Sequence, residues 1–351
     1  MAKYTKRFDH ILTGGNMQFD QSVLTGTEKR IFALRTLYSK YGYSQYRMTK
    51  FEDYDLYSRN KDFLLSDRVI TFTDTNGRLK ALKPDVTLSI VRNLADRPDD
   101  LQRLYYDENV YRVSERSNTF REIMQMGLEC IGAADNACVT EVIELAARSL
   151  EIISEDHDYI LKVSDLDILI ALAEDAAGRG LLRDEILRLA GDKNIHGIVE
   201  LCEQNSIPED KYSPLVALLR LYGSADEVMP ELHRICEGTG AADEFFELES
   251  VLADIGAEEA AHVVVDFSII SNINYYNGLA IEGYIGGIPE SVLVGGRYDM
   301  LMNRMGKRSR AIGFAVYLDT LATLGRNAGD DAIENFFVNV RAAERDLEDE
   351  D

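Results

Sequence analysis

The chain has 351 residues, 46% of them apolar and 9% aromatic, which is long enough for a large core and ordinary for a globular protein. Its formal charge is −23; a surface that grips nucleic acid neutralises phosphates with Lys and Arg, so this acidic excess argues against tRNA or another nucleic acid as partner. Cys130, Cys138, Cys202 and Cys236 form no CxxC pair and the histidines fall at no metal-ligand spacing, so neither a zinc site nor a disulfide framework is expected.

The opening MAKYTKRFDH carries basic charge but no apolar signal-peptide core follows it, and no run of about 18 apolar residues occurs anywhere, so a cytoplasmic protein with no membrane span is expected. Thr25-Gly-Thr-Glu28 has the form of a capping box, and Ile31, Leu34, Leu37 and Tyr41 follow at helical spacing, predicting a helix from about Thr27 to Tyr41. Val69 to Thr73 is a β-branched run, Asn76-Gly77 is a strong turn signal, and Leu79 to Leu82 returns before Pro84, which together predict a hairpin.

Gln102 to Val113 and Arg121 to Gly132 read as a long antiparallel pair joined by the polar loop Ser114 to Thr119. In the second strand Glu122, Met124, Met126, Leu128 and Cys130 share one face, while Ile123, Gln125, Gly127, Glu129 and Ile131 share the other. Gln125 and Glu129 therefore point the same way across Gly127. A solvent-facing sheet surface accounts for this pattern; so does the floor of a polar ligand pocket, with the missing side chain leaving room.

Val139 to Ile153 predicts an amphipathic helix and Tyr159 to Val163 a short strand. From about Asp165 to Ala260, Leu, Ala and Glu dominate and helix signals follow one another, which marks a helical insertion. Strand character returns at His262 to Ile270, Leu279 to Ile285 and Ser291 to Val294, before Gly295-Gly296 and a helix opening near Tyr298; a last helix is expected from roughly Ala311 to Leu324. The tail Glu344 to Asp351 is almost all charge and is expected to be disordered. Runs of strands around one helical block give an α+β class, an antiparallel sheet flanked by helices, with a core over residues 1–330 interrupted by an insertion over 165–260 and an acidic tail over 331–351.

Tyr111-Arg112-Val-Ser-Glu-Arg-Ser-Asn-Thr-Phe-Arg121-Glu-Ile-Met-Gln125-Met-Gly-Leu-Glu129 resembles the second signature motif of class II aminoacyl-tRNA synthetases, in the version carried by the histidine enzyme. Leu82-Lys-Pro-Asp85-Val-Thr87 is similar to that family's Arg-Pro-Glu-Gly-Thr segment, and Ile273-Asn-Tyr275-Tyr276-Asn-Gly278 resembles its Leu-Asp-Tyr-Tyr-Thr-Gly segment. Gly295-Gly-Arg-Tyr-Asp299, followed by Ala311-Ile-Gly-Phe314, resembles the third motif. The resemblance implies a class II synthetase-like fold and a histidine pocket made by Asp85, Thr87, Arg112, Gln125, Glu129, Tyr275 and Tyr276. In it Asp85 and Thr87 would meet an α-amino group, and Arg112 stands where the family holds a phosphate.

The chain also departs from the pattern. The family's Leu-Glu-Arg-Leu ends its third motif with the arginine that clamps ATP, and this chain has Leu318-Asp-Thr320-Leu. A second arginine, five residues before the second tyrosine of the Tyr-Tyr pair, is replaced by Ser271. A positioned arginine is worth roughly 10³ to 10⁵ in rate in phosphoryl chemistry, so adenylation is expected to be lost and no catalytic residue or cofactor is assigned. Only about 27 residues follow the helix expected at the third motif, far fewer than an anticodon-binding domain needs. Lys50 stands where the first motif usually has proline.

These losses resemble the regulatory subunits of short-form ATP phosphoribosyltransferase in histidine biosynthesis. That resemblance implies a homodimer within a hetero-octamer, a catalytic-subunit partner, and histidine as the effector, bound either in the ancestral pocket or at a subunit interface. Two other readings stay open. One is a divergent ligase that activates an amino acid with a replacement cation from Lys307, Arg308, Arg310 or Arg326; the other is a free-standing amino-acid sensor.

Overall fold

The computed structural model describes residues 23–64, 68–113, 119–269 and 275–323. The polar loop after Val113, Ser271 and the acidic tail lie wholly or mostly outside the described residues.

Helix α1, Gly26–Lys40, starts where the capping box places it: Thr25 accepts from the Glu28 backbone at 3.2 Å, and Glu28 accepts from the Thr25 backbone at 2.8 Å. It buries Leu34 and Tyr38 completely against the core, worth about 1.5–3 kcal/mol for a side chain such as leucine. Strands β1 (Ser44–Gln45) and β2 (Phe51–Asp53) and the short helix α2 (Tyr54–Ser58) follow. The hairpin pairs β3, Thr71–Thr73, with β4, Leu79–Leu82. Its turn is held by Asp74, whose carboxylate accepts from the Asn76 and Arg78 backbones at 2.8 Å each, while Gly77 takes φ of 76°. Helix α3, Val86–Asn93, begins directly after it, capped by Asp85.

Strands β5 (Leu101–Val113) and β6 (Phe120–Gly132) form one continuous antiparallel ribbon, from Leu101 opposite Gly132 to Val113 opposite Phe120. Helix α4, Asn136–Ser154, packs on it, and β7 (Tyr159–Asp165) leads into the helical block. That block comprises α5 (Leu166–Ala177), α6 (Leu181–Gly191), α7 (Ile195–Gln204), α8 (Glu209–Leu218), α9 (Ala225–Cys236), α10 (Ala242–Ala253) and α11 (Ala257–Ala260). It is broken by one two-residue strand, β8 (Tyr222–Gly223), that joins the sheet edge. Strands β9 (Val263–Asp266), β10 (Leu279–Ile285) and β11 (Leu293–Arg297), helix α12 (Asp299–Arg304) and strand β12 (Arg310–Tyr317) complete the described chain.

Among the described residues the main sheet has nine strands in the order β1-β5-β6-β12-β11-β10-β7-β9-β8, and a three-stranded sheet runs β2-β4-β3. Neighbours in the main sheet are antiparallel except β1 with β5 and β7 with β9. The expected helix from Ala311 is therefore wrong. Ala311 to Tyr317 is a strand between β6 and β11, and only Leu318–Thr323 coils, as a 3₁₀ turn. Its apolar run is almost wholly buried because both faces of the sheet are covered here, and such a run has no period that separates strand from helix.

The two faces of β6 separate as its alternation predicts. Met126, Leu128 and Cys130 join α1, α4 and the helical block in the larger core, while Ile131 joins α3 and α12 in a second one. The helical block thus shares its core with the sheet. The expectation of no disulfide framework needs one correction: the sulfurs of Cys130 and Cys138 meet as a pair inside that core, with Cα atoms 7.3 Å apart, wider than the roughly 4.4–6.8 Å of ordinary bridges. Cys202 and Cys236 are free and buried.

Candidate functional site

The second face of β6 forms the floor of a cavity roofed by the start of α3, the turn before β10, and Tyr298 at the start of α12. Asp85, Thr87, Arg112, Gln125, Glu129, Tyr275 and Tyr276 all line it. The structure thus gathers from four separate segments every residue that the resemblance assigned to one pocket.

Glu129 lies at the bottom, 2% exposed. Thr87 Oγ1 donates to its Oε1 at 2.7 Å and the Tyr298 hydroxyl donates to its Oε2 at 2.6 Å. Burial outweighs both hydrogen bonds and pushes its carboxyl up to about 8, so it is protonated at neutral pH. Its position also explains a glycine across the sheet: a Cβ on Gly313 would stand 1.9 Å from Glu129 Oε2.

Asp85 has a double task. As N-cap of α3 it accepts from the Leu88 backbone at 2.8 Å, and its side chain faces the cavity. Burial raises its carboxyl above the usual range, against the opposing pull of the α3 amides and of Arg112. Arg112 is anchored by its Nε donating to the Pro84 carbonyl at 3.0 Å, and it is the sole cation among the described residues that line the cavity. Behind this loop the fully buried Lys83 pairs with Glu108 at 3.0 Å.

Tyr275 and Tyr276 meet edge to face with ring centres 4.8 Å apart, and burial drives both hydroxyls well above the ordinary tyrosine range, so they stay neutral. Gln125 is 3% exposed and lines the cavity, where its amide can both donate to and accept from a polar ligand.

One expectation is reversed. The room over Gly127 is taken by Tyr106, its register partner on β5: a Cβ on Gly127 would lie 2.5 Å from the Tyr106 hydroxyl and 2.2 Å from the Phe314 carbonyl. The glycine admits a neighbouring ring rather than a ligand. Tyr106, Tyr298 and Tyr317 line the cavity without having been singled out in the sequence. Tyr298 lies within the quoted Gly295-to-Asp299 segment but was given no pocket role, whereas Tyr106 and Tyr317 become visible only through strand register.

The end of the third motif carries no cation. Thr320 donates its hydroxyl to the Tyr317 carbonyl at 2.6 Å, and Asp319 accepts from the Met124 backbone at 3.0 Å. The other candidate cations are engaged elsewhere or lie outside the description: Lys307 donates to the Leu94 carbonyl, and Arg310 pairs with Asp299 at 3.4 Å and Glu247 at 3.7 Å. Arg308 is exposed and off the cavity lining, and Arg326, like Ser271, is outside the described residues. Chemically, the cavity offers a carboxyl and hydroxyl beside one guanidinium at its upper part, a protonated carboxyl and an amide below, and aromatic walls. That set suits a small zwitterion with a polar side chain.

A family model described as histidyl-tRNA synthetase matches residues 26–321. Among curated relatives, an ATP phosphoribosyltransferase regulatory subunit of Ruminiclostridium cellulolyticum is 27% identical over 311 residues, 86% of this chain and 72% of the relative. One from Oceanobacillus iheyensis is 29% identical over 289 residues, 81% of this chain and 70% of the relative. Of solved structures, an ATP phosphoribosyltransferase regulatory subunit/histidyl-tRNA synthetase from Bacillus halodurans aligns with TM-score 0.75 at 23% identity, covering 84% of this chain and 78% of that one. An ATP phosphoribosyl transferase (HisG:HisZ) complex from Thermotoga maritima aligns with TM-score 0.65 at 19% identity, over 84% and 98%. At these identities the structures speak for the fold, a mixed α/β arrangement with a central sheet flanked by helices. No described helix is long and apolar enough to cross a membrane.

Proposed function

The chain belongs to the histidyl-tRNA synthetase family, and from that premise we propose that it serves as a non-catalytic regulatory subunit of a short-form ATP phosphoribosyltransferase. The observation that carries this reading is the composition of the cavity: the residues suited to an amino acid are assembled, with Arg112 as the single lining cation among the described residues. Adenylation builds charge on phosphate oxygens, and one guanidinium with Thr320 at the end of the third motif leaves that charge poorly met. Relatives named as regulatory subunits of that enzyme support the same division of labour.

In this reading the partner is the catalytic subunit, and two copies of the chain sit within a cytoplasmic hetero-octamer without tRNA. The helical block over 165–260 is an insertion into a synthetase-like core. Histidine in the cavity is the effector. It regulates by binding one state of the assembly more tightly than another, which is what coupling between distant sites requires.

The test is to mix the chain with the same organism's short-form catalytic subunit and measure both the mass of the product and the turnover rate. Co-elution as one assembly with a higher rate is expected. Separate elution with an unchanged rate overturns the reading.

A further inference from the structure

Arg59, Arg78, Arg92 and Arg304 converge on an open groove of about 1440 Å³, lined also by Asp53, Asp55, Leu56, Leu79 and Met305. Four guanidiniums face two lining carboxylates, and Glu52, which pairs with Arg92, brings the local excess to one positive charge on a chain whose formal charge is −23. The groove lies away from the cavity: Arg92 and Arg304 stand at the C-terminal ends of α3 and α12, whose starts carry Asp85 and Tyr298.

Two of the four cations are answered. Arg59 pairs with Asp55 at 3.2 Å, and Arg92 reaches Glu52 and Asp53 at 3.3 Å each. Arg78 and Arg304 are exposed and form no ion pair with any described residue. A basic residue in the last turn of a helix complements the helix dipole, which accounts for Arg92 on α3 and Arg304 on α12, while Arg59 is the C-cap of α2. It does not account for Arg78, which comes from the hairpin and faces the same groove. Nor does it account for Leu56, Leu79 and Met305, which line the same groove.

We propose that this groove is an anion site for a phosphate-bearing small molecule, its phosphate oxygens held by the planar forks of Arg78 and Arg304 and its apolar part lying over Leu79 and Met305. Guanidinium forks match phosphate oxygens in pairs, and Arg78 and Arg304 carry no carboxylate partner among the described residues that a phosphate would have to displace. The proposal is independent of what fills the cavity above β6.

Calorimetric titration of the full chain with inorganic diphosphate at low ionic strength tests it. Saturable binding at one site per chain is expected, weakening as salt is added. The double variant Arg78→Ala, Arg304→Ala should bind roughly tenfold more weakly or worse with an unchanged melting temperature, since neither side chain is buried or paired. No saturable binding, or equal affinity in the double variant, overturns the proposal. If diphosphate does not bind and the double variant instead changes the mass of the chain in solution, the groove meets an acidic protein surface and the small-anion site is wrong.

Discussion

Tyr298 and Glu129, 169 positions apart in sequence, are joined by a 2.6 Å hydrogen bond at the bottom of the cavity, and this contact ties the start of α12 to the middle of β6. Because the carboxyl is buried and protonated at neutral pH, the contact links the cavity to pH.

Burial raises the Glu129 carboxyl to about 8 in the folded chain from an ordinary value of 4.5. The folded state therefore holds a proton that the unfolded chain releases, and stability contributed by this group is full below about pH 4.5 and is lost as pH rises toward 8. Asp165, raised to about 7 by burial, adds a loss of the same sign. Glu129→Gln keeps the shape and removes the titration, so its denaturation midpoint, followed from pH 5 to 9, should decline less steeply than that of the parent. Parallel declines would mean that Glu129 is ionised in the folded protein.

Gly313→Ala should be among the most damaging small substitutions. The new methyl would stand 1.9 Å from Glu129 Oε2 and 2.4 Å from the Leu128 carbonyl, both held in the sheet interior. Overpacking of this kind costs about 1–3 kcal/mol and displaces Glu129 from Thr87 and Tyr298. A urea melt measures the loss, and an unchanged midpoint would contradict the close packing.

Asp85→Asn separates the two tasks of that residue. Asparagine caps a helix nearly as well as aspartate, so the melting temperature should hold, whereas the lost charge should weaken histidine binding by roughly tenfold or more. Titration calorimetry with histidine reads the second effect. Undiminished affinity would place histidine elsewhere than this cavity.

With Thr320 at the end of the third motif and Arg112 the sole cation among the described lining residues, ATP–pyrophosphate exchange in the presence of histidine should stay at the level of a protein-free control. Histidine-dependent exchange would revive the ligase reading.

Much of this was legible in the chain, for local reasons. The Thr25 capping box, the Asn76-Gly77 turn and the alternation of β6 are each decided by neighbours in sequence, and each element stands within a few residues of its expected place. The cavity residues were legible because they fall in motifs. What failed depended on long-range partners. Ala311 to Tyr317 is a strand because β6 and β11 flank it, and nothing in its own apolar run says so. The filling of Gly127's space by Tyr106 follows from register between β5 and β6, not from the composition of either strand.

The central claim is that this cavity carries histidine control of a partner enzyme. It is tested most directly by the turnover rate of the same organism's short-form ATP phosphoribosyltransferase catalytic subunit with the parent chain and with Asp85→Asn, each titrated with histidine. The account predicts that both chains raise the rate, that histidine reverses the increase given by the parent, and that Asp85→Asn needs roughly tenfold more histidine for the same reversal. No activation by the parent, or identical histidine sensitivity in the two chains, would contradict it.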